Sequence, residues 1–268
     1  MTGKNPHDIK IIFFDVDGTL VPIHHESAPA SAVKALRKLK EKGIKLIISS
    51  GRHLMDIEVL GLPVFDGYIT TNGASCMVDG KVIFKQYIPQ ADIERLVTYL
   101  QGSGRFPCII ETDDNAYLNY TDRYTDQLQR DLKTRKPVLC DLDLWSEKTR
   151  SGVIQMLGFF DVDKEGKIMR DILPGCVTKR WCSYFTDIIQ KDCDKAKGIE
   201  KILDHYHFLP EEAMAFGDGG NDLTMLQYVG VGIAMGNAAD KVKAVADFVT
   251  SSVEEDGIYK GLEDYGLI

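Results

Sequence analysis

Near both ends of this 268-residue chain, short unbroken apolar runs stop abruptly at polar, glycine-bearing loops. The first run is Ile11-Ile12-Phe13-Phe14, cut off by Asp15. Nothing in it alternates, so both faces of the strand must be covered, as in a parallel sheet flanked by helices. Pro29 opens a helix that puts Ala32, Leu36 and Leu39 on one face, and Gly43 closes it. Ile44 to Ile48 reads as a second buried strand, running into Ser49-Ser50-Gly51-Arg52. A short helix, a third strand over Tyr68 to Thr71 and the turn Asn72-Gly73-Ala74 follow. Such alternation predicts a doubly wound, Rossmann-like α/β parallel sheet.

The pattern returns late in the chain. Lys197 to His207 reads as a helix with Ile199, Ile202 and Leu203 inward, and Ala213 to Phe216 as a strand ending in Gly217-Asp218-Gly219-Gly220-Asn221-Asp222. Leu223 to Tyr228 is helical and Val231 to Ala234 is a strand; after a helix around Val242 to Ala246, Phe248-Val249 ends the sheet. The middle is different. Helices are expected at Ile93 to Leu100, Asp122 to Leu132 and Lys167 to Ile172. Between them lie strand-like runs at Cys108 to Ile110, Tyr117 to Asn119, Gly152 to Phe160 and Cys176 to Trp181. The organisation expected is an α/β core from residues 1–84 and 185–268, with an α+β domain inserted at 85–184.

Composition narrows the function. A net charge of -8, spread along the chain, lacks the basic face of a nucleic-acid-binding protein. No apolar run is long enough for a membrane span. Met1 to Lys10 is polar and not a signal peptide, and the six cysteines show no Cys-x-x-Cys spacing. A cytoplasmic protein with reduced thiols is expected, several of them serving as small core hydrophobes. The composition sets no oligomeric state.

In open α/β sheets ligands bind at the carboxyl ends of the strands. Four polar clusters fall there: Asp15/Asp17, Ser50-Gly51-Arg52, Asp194-Lys195-Ala196-Lys197-Gly198 and Asp218/Asn221/Asp222. Taken singly, each could be a turn, a solvated helix start or an N-cap. Together, in this order, they are hard to explain as loops alone. A calcium loop starting at Asp15 fails, because the glycine it needs at its sixth position is Leu20. A dinucleotide fingerprint at Gly230-Val231-Gly232 fails too, since the next glycine, Gly236, comes one residue late.

These clusters, with Asn72-Gly-Ala and Gly232-Ile-Ala-Met-Gly-Asn-Ala238, resemble the haloacid dehalogenase superfamily of phosphotransferases, and within it the Cof-type sugar-phosphatase group. The insertion resembles that group's larger cap, which would close over the site and set substrate choice. The resemblance implies a Mg²⁺-dependent phosphatase for small phosphorylated metabolites, sugar phosphates in particular. Asp15 would be the nucleophile: an ionised carboxylate needs no general base. Asp17 would protonate the leaving alcohol and later deprotonate water. Ser50, the Gly51 backbone N–H and Lys195 would hold the phosphoryl oxygens, with Lys197 the alternative lysine. Four carboxylates around a phosphate dianion require a hard cation, and Mg²⁺ fits. By resemblance its ligands are Asp15, the Asp17 carbonyl and Asp218, with Asn221 or Asp222 completing the shell. Asn72, Arg180, Trp181 and Asn237 are the substrate-contact candidates, Arg180-Trp181 because an arginine beside an aromatic face suits a polyol. A phosphomutase, a phospho-receiver module and a catalytically silent sugar-phosphate-binding protein are the rival readings. Only a phosphatase releases inorganic phosphate from its substrate.

Overall fold

The unalternating strands do find cover on both faces. The computed structural model describes residues 8–58, 60–62, 65–102, 104–132, 134–180 and 182–268. In chain order the elements are β1 (Ile11–Phe14), α1 (Ala30–Glu41), β2 (Lys45–Ser49), α2 (Leu54–Glu58), β3 (Gly67–Thr70), β4 (Ser75–Val78) and β5 (Lys81–Lys85). Next come α3 (Gln90–Gln101), β6 (Cys108–Glu111), β7 (Ala116–Leu118), α4 (Arg123–Leu132), β8 (Val138–Leu139), α5 (Leu142–Lys148), β9 (Gln155–Gly158), α6 (Val162–Asp171), β10 (Cys176–Lys179) and β11 (Thr186–Gln190). The chain ends with α7 (Lys195–Tyr206), β12 (Ala213–Gly217), α8 (Leu223–Tyr228), β13 (Val231–Ala234), α9 (Asp240–Lys243), β14 (Phe248–Val249) and α10 (Gly257–Asp264).

One compact unit takes the chain up to Phe84 together with Asp194–Ile268. Its eight-stranded sheet has the order β14-β13-β12-β1-β2-β3-β4-β5. The strands from β14 to β3 are parallel, and β4 returns antiparallel to β3. Successive residues of β1 serve opposite faces. Ile12 and Phe14 pack with Leu36 and Leu39 of α1 and Leu262 of α10, whereas Ile11 and Phe13 pack with Ile199, Ile202 and Leu203 of α7. All four β1 side chains are fully buried, and the Phe14 and Phe216 rings stack at 5.4 Å. Burying a side chain of this size stabilises by roughly 1.5–3 kcal/mol, which is why apolar runs dominate these strands.

The second unit is Lys85–Cys193. Its six-stranded sheet, β10-β11-β9-β6-β7-β8, is antiparallel except for the β7–β8 pair. Helices α3, α5 and α6 bury Leu96, Trp145 and Ile168 on one face, and α4 buries Leu128 on the other. The sequence reading placed 185–193 in the core. Instead β11 is bonded on both edges within this sheet, to β9 and β10. All six cysteines are free, and five are buried. Among the described residues no helix is long and apolar enough to cross a membrane.

Candidate active site

β1, β2, β3 and β12 are neighbours in one parallel sheet, so the residues after each of them converge at one edge. The register pairs Phe14 with Phe216, and the Asp15 N–H extends the ladder to the Phe216 carbonyl at 3.0 Å. Asp15 therefore leaves β1 beside the loop that carries Asp218 out of β12. From β1 the chain proceeds through β2 and β3 to one side, while β12, β13 and β14 lie on the other. A sheet opens a crevice for ligands at such a change of direction.

Lys195 is the buried cation of this edge, with no solvent exposure. Its Nζ donates to Asp15 Oδ1 at 2.6 Å and to Asp222 Oδ1 at 2.5 Å. Burial alone would lower its pKa, but the charges of Asp15 and Asp222 raise it, so the ammonium stays protonated. Lys197 points elsewhere: its Nζ meets Glu200 at 2.6 Å, and its backbone N–H is capped by Asp194. Of the two candidate lysines, only Lys195 reaches the carboxylates.

Asp222 is a brace as well as a charge. Its Oδ2 accepts from the backbone N–H of Asp218 (3.0 Å) and Gly219 (2.8 Å), fixing the loop that begins at Asp218. Asp218 is held in turn by Thr19 Oγ1 at 2.8 Å and by Asn237 Nδ2 at 3.3 Å. Gly18, with φ +82°, lies so close that a Cβ there would overlap the Asp218 carboxylate. The Thr19 contact went unassigned in the sequence, although Thr19 stands inside the first acidic motif.

One carboxylate oxygen from each of Asp15, Asp218 and Asp222 lies within 4.8 Å of the other two. Burial, then the charge of Asp222, pushes the Asp15 carboxyl well above the usual carboxylate range. Burial, then Asp222 again, raises Asp218 to about 7, against the opposing pull of Thr19 and Lys195. The site carries more negative charge than its own cations balance. Asp15, Asp17, Asp218 and Asp222 face Lys195 and Arg52, so the fully ionised set retains two negative charges. Hard oxygen donors with that excess fit one divalent cation.

Asp17 lies outside the three-carboxylate cluster. Arg52 grips it in a bidentate pair, Nε to Oδ2 and Nη2 to Oδ1, both at 2.7 Å. Arg52 is only 8% exposed, and the pairing raises its pKa despite its burial. Ser50 is buried at the end of β2, its Oγ accepting from the Arg52 N–H at 3.1 Å. Gly51 lies between them.

The four substrate-contact candidates fare differently. Asn72 is fully buried, and its Oδ1 accepts from Asn221 Nδ2 at 2.9 Å. Asn237 ties loops together, donating to the Gly18 carbonyl (2.9 Å) and accepting from the Val253 N–H (3.0 Å). Arg180 presents no open fork. Its Nε meets Glu165 at 2.8 Å, and its two Nη groups meet the Phe185 and Phe160 carbonyls, all inside the inserted unit. These three side chains all make hydrogen bonds within the fold. Trp181 lies outside the described residues.

Residues 12–262 match the haloacid dehalogenase-like hydrolase family. The chain belongs to the haloacid dehalogenase-like hydrolases. It is 34% identical to YkrA of Bacillus subtilis over 266 residues, covering 97% of this chain and 99% of that one. Among solved structures it resembles BT1666 of Bacteroides thetaiotaomicron, described among phosphatases of the haloalkanoate superfamily, with 34% identity, TM-score 0.88 and full coverage of both chains. It also resembles the subclass IIB sugar phosphatase BT4131, at 35% identity and TM-score 0.85, over 97% of this chain and 100% of that one. The Cof-type likeness and the Rossmann-like α/β fold read from the sequence both hold.

Proposed function

We propose that this hydrolase is a Mg²⁺-dependent phosphatase for small phosphorylated metabolites, sugar phosphates foremost, working through an aspartyl-phosphate on Asp15. The observation that carries the reading is the state of Asp15. Lys195 holds its Oδ1, while among the described residues Oδ2 accepts no hydrogen bond. One carboxylate oxygen is thus anchored and the other is available to attack phosphorus. Asp15, the Asp17 carbonyl and Asp218 would hold Mg²⁺, with Asp222 or Asn221 supporting the shell. When bound, the cation neutralises the excess carboxylate charge and that of the transferring phosphoryl group.

Asp15 Oδ2 forms the bond to phosphorus as the bond to the alcohol oxygen breaks. The leaving oxygen takes a proton from the Asp17 carboxyl, which must first release Arg52. Ser50 Oγ, the Gly51 N–H and Lys195 Nζ hold the phosphoryl oxygens through the transfer. Water then attacks the aspartyl-phosphate and gives its proton to Asp17, returning Asp15 and inorganic phosphate.

The substrate class is supported by two relatives. BT4131 is a sugar phosphatase, and YitU of Bacillus subtilis, 27% identical over 263 residues, is named a 5-amino-6-(5-phospho-D-ribitylamino)uracil phosphatase. Both names point to phosphate on a polyhydroxylated carbon chain. We place the enzyme in the cytoplasm, acting on diffusible substrates.

A panel of phosphorylated metabolites tests the proposal, with inorganic phosphate as the readout. Release should require Mg²⁺, stop with EDTA and vanish in Asp15→Asn. Tight binding of one sugar phosphate with no release from any would overturn the phosphatase reading. Transfer of phosphate between positions of a sugar, without release, would mark a mutase.

A further inference from the structure

The turn after β3 has an uncommon backbone. Thr71, Asn72 and Gly73 have φ values of 49°, 52° and 96°, three left-handed residues in succession. A β-branched threonine seldom adopts this conformation, and it survives only where the surroundings over-determine it. Here they do. The Thr71 N–H donates to the Arg52 carbonyl and the Asn72 N–H to the Ser50 carbonyl, both at 3.0 Å. Gly73 lies against the Asp194 carbonyl so closely that a Cβ would overlap it. Asp194 caps the helix that carries Lys195. One turn therefore touches the Ser50–Arg52 loop and the start of α7. Through Asn72 Oδ1 and Asn221 Nδ2 it also touches the loop between Asp218 and Asp222.

We propose that Asn72 is a positioning residue for the metal-binding loop. Its buried amide holds Asn221, and with it the spacing of Asp218 and Asp222 relative to Asp15. The left-handed backbone at 72 is what sets the amide in that place. Asparagine is suited to the position because it tolerates this conformation better than most residues and carries an acceptor. The inference rests on the Mg²⁺ reading above, but it concerns a residue outside the proposed ligand set.

Calorimetric titration of the metal-free protein with Mg²⁺ tests it. Asn72→Gly keeps the left-handed backbone accessible and removes only the amide. It should weaken Mg²⁺ binding about 10- to 100-fold, the usual effect of losing a partner that orients a ligand. At saturating Mg²⁺ its kcat should stay within about threefold of wild type, because the defect is one of occupancy. A fall in kcat that extra Mg²⁺ does not restore would show a merely structural role and overturn the proposal. Asn72→Asp keeps the size, the left-handed tolerance and the acceptor, and should bind Mg²⁺ at least as tightly as wild type. A loss with Asp as large as with Gly would overturn the proposal, as would wild-type affinity in Asn72→Gly. In the cycle with Asn221→Ala the two losses should not add, and full additivity counts against the coupling. Absence of Mg²⁺ binding in the wild type would instead bring down the metal reading itself, and this inference with it.

Discussion

Replacing Lys195 with methionine isolates what the buried ammonium does for the fold. Methionine refills most of the stem's volume, so the cavity contribution is small. What disappears is a pair of charge-assisted hydrogen bonds, to Asp15 at 2.6 Å and to Asp222 at 2.5 Å. Such bonds contribute about 1.5–3 kcal/mol each. Proton uptake by the stranded carboxyls limits the damage, so the net loss should be about 3–5 kcal/mol, the usual cost of breaking a buried pair. Its dependence on pH is the sharper signature. Lys195 opposes the upward pull of burial on Asp15, so its removal raises that pKa further. A carboxyl raised in the folded state is penalised once the unfolded chain ionises, above about pH 4. The unfolded chain titrates alike in both proteins, so the deficit of Lys195→Met should be flat in acid and grow once pH passes the raised pKa of wild-type Asp15, where the variant still holds the proton. Urea unfolding of metal-free protein in EDTA, at several pH values, measures this. A deficit below about 1 kcal/mol at neutral pH, or one independent of pH, would refute the argument.

The same reasoning applies without mutation. Asp218 is raised to about 7 by burial and by Asp222, so metal-free protein should lose stability as pH rises from about 4 to 7. The loss should be on the order of a few kcal/mol, and Mg²⁺ should stabilise increasingly over that window. Thermal melts in EDTA and in Mg²⁺ at pH 5 and pH 8 check it; an equal Mg²⁺ effect at both values would count against it. Asp66 has the opposite sign. Burial raises its pKa, but Lys40 at 2.7 Å and the Leu46 N–H at 2.9 Å outweigh it and bring it below the ordinary value. Asp66→Asn should cost about 1–3 kcal/mol at neutral pH, with the difference fading as acid protonates the wild-type carboxyl. Gly73→Ala should destabilise by at least about 2 kcal/mol, from its left-handed φ and the overlap with Asp194, and unfolding curves of the variant would show it.

How far the fold could be read depended on where each element buries its residues. Ile11–Phe14 and Ala213–Gly217 were legible because strands covered on both faces are apolar throughout. The β4–β5 hairpin was overlooked although its turn carries a signal. Asp79 and Gly80, at φ 48° and 74°, form the Asp-Gly pair that hairpins favour. Helix α5 turns only Leu142 and Trp145 to the core and leaves Leu144 exposed, a stripe too short to announce a helix. Strand β11, Thr186–Gln190, follows directly on the last cap-like run and precedes Asp194, so local sequence could not say which sheet would take it. Partner strands decide that, and partners are a tertiary property.

The site shows the same division. Residue types were legible, because acidic, basic and hydroxyl groups at strand ends have few other reasons to collect there. Pairings were not. Arg52 with Asp17 spans 35 residues and Asn72 with Asn221 spans 149, and neither spacing carries a local signal. Those pairings change what the residues can do. Arg180 spends its donors on Glu165 and two carbonyls, while Arg52 grips the carboxylate two residues from Asp15. With Arg52 and Lys195 both committed to carboxylates, no other buried cation among the described residues meets the acidic cluster, and two negative charges remain. Asp15 has to be ionised to attack, and the fully ionised set repels a phosphate dianion unless positive charge arrives with it. That requirement, more than any single residue, is what makes a divalent ion part of the proposed chemistry.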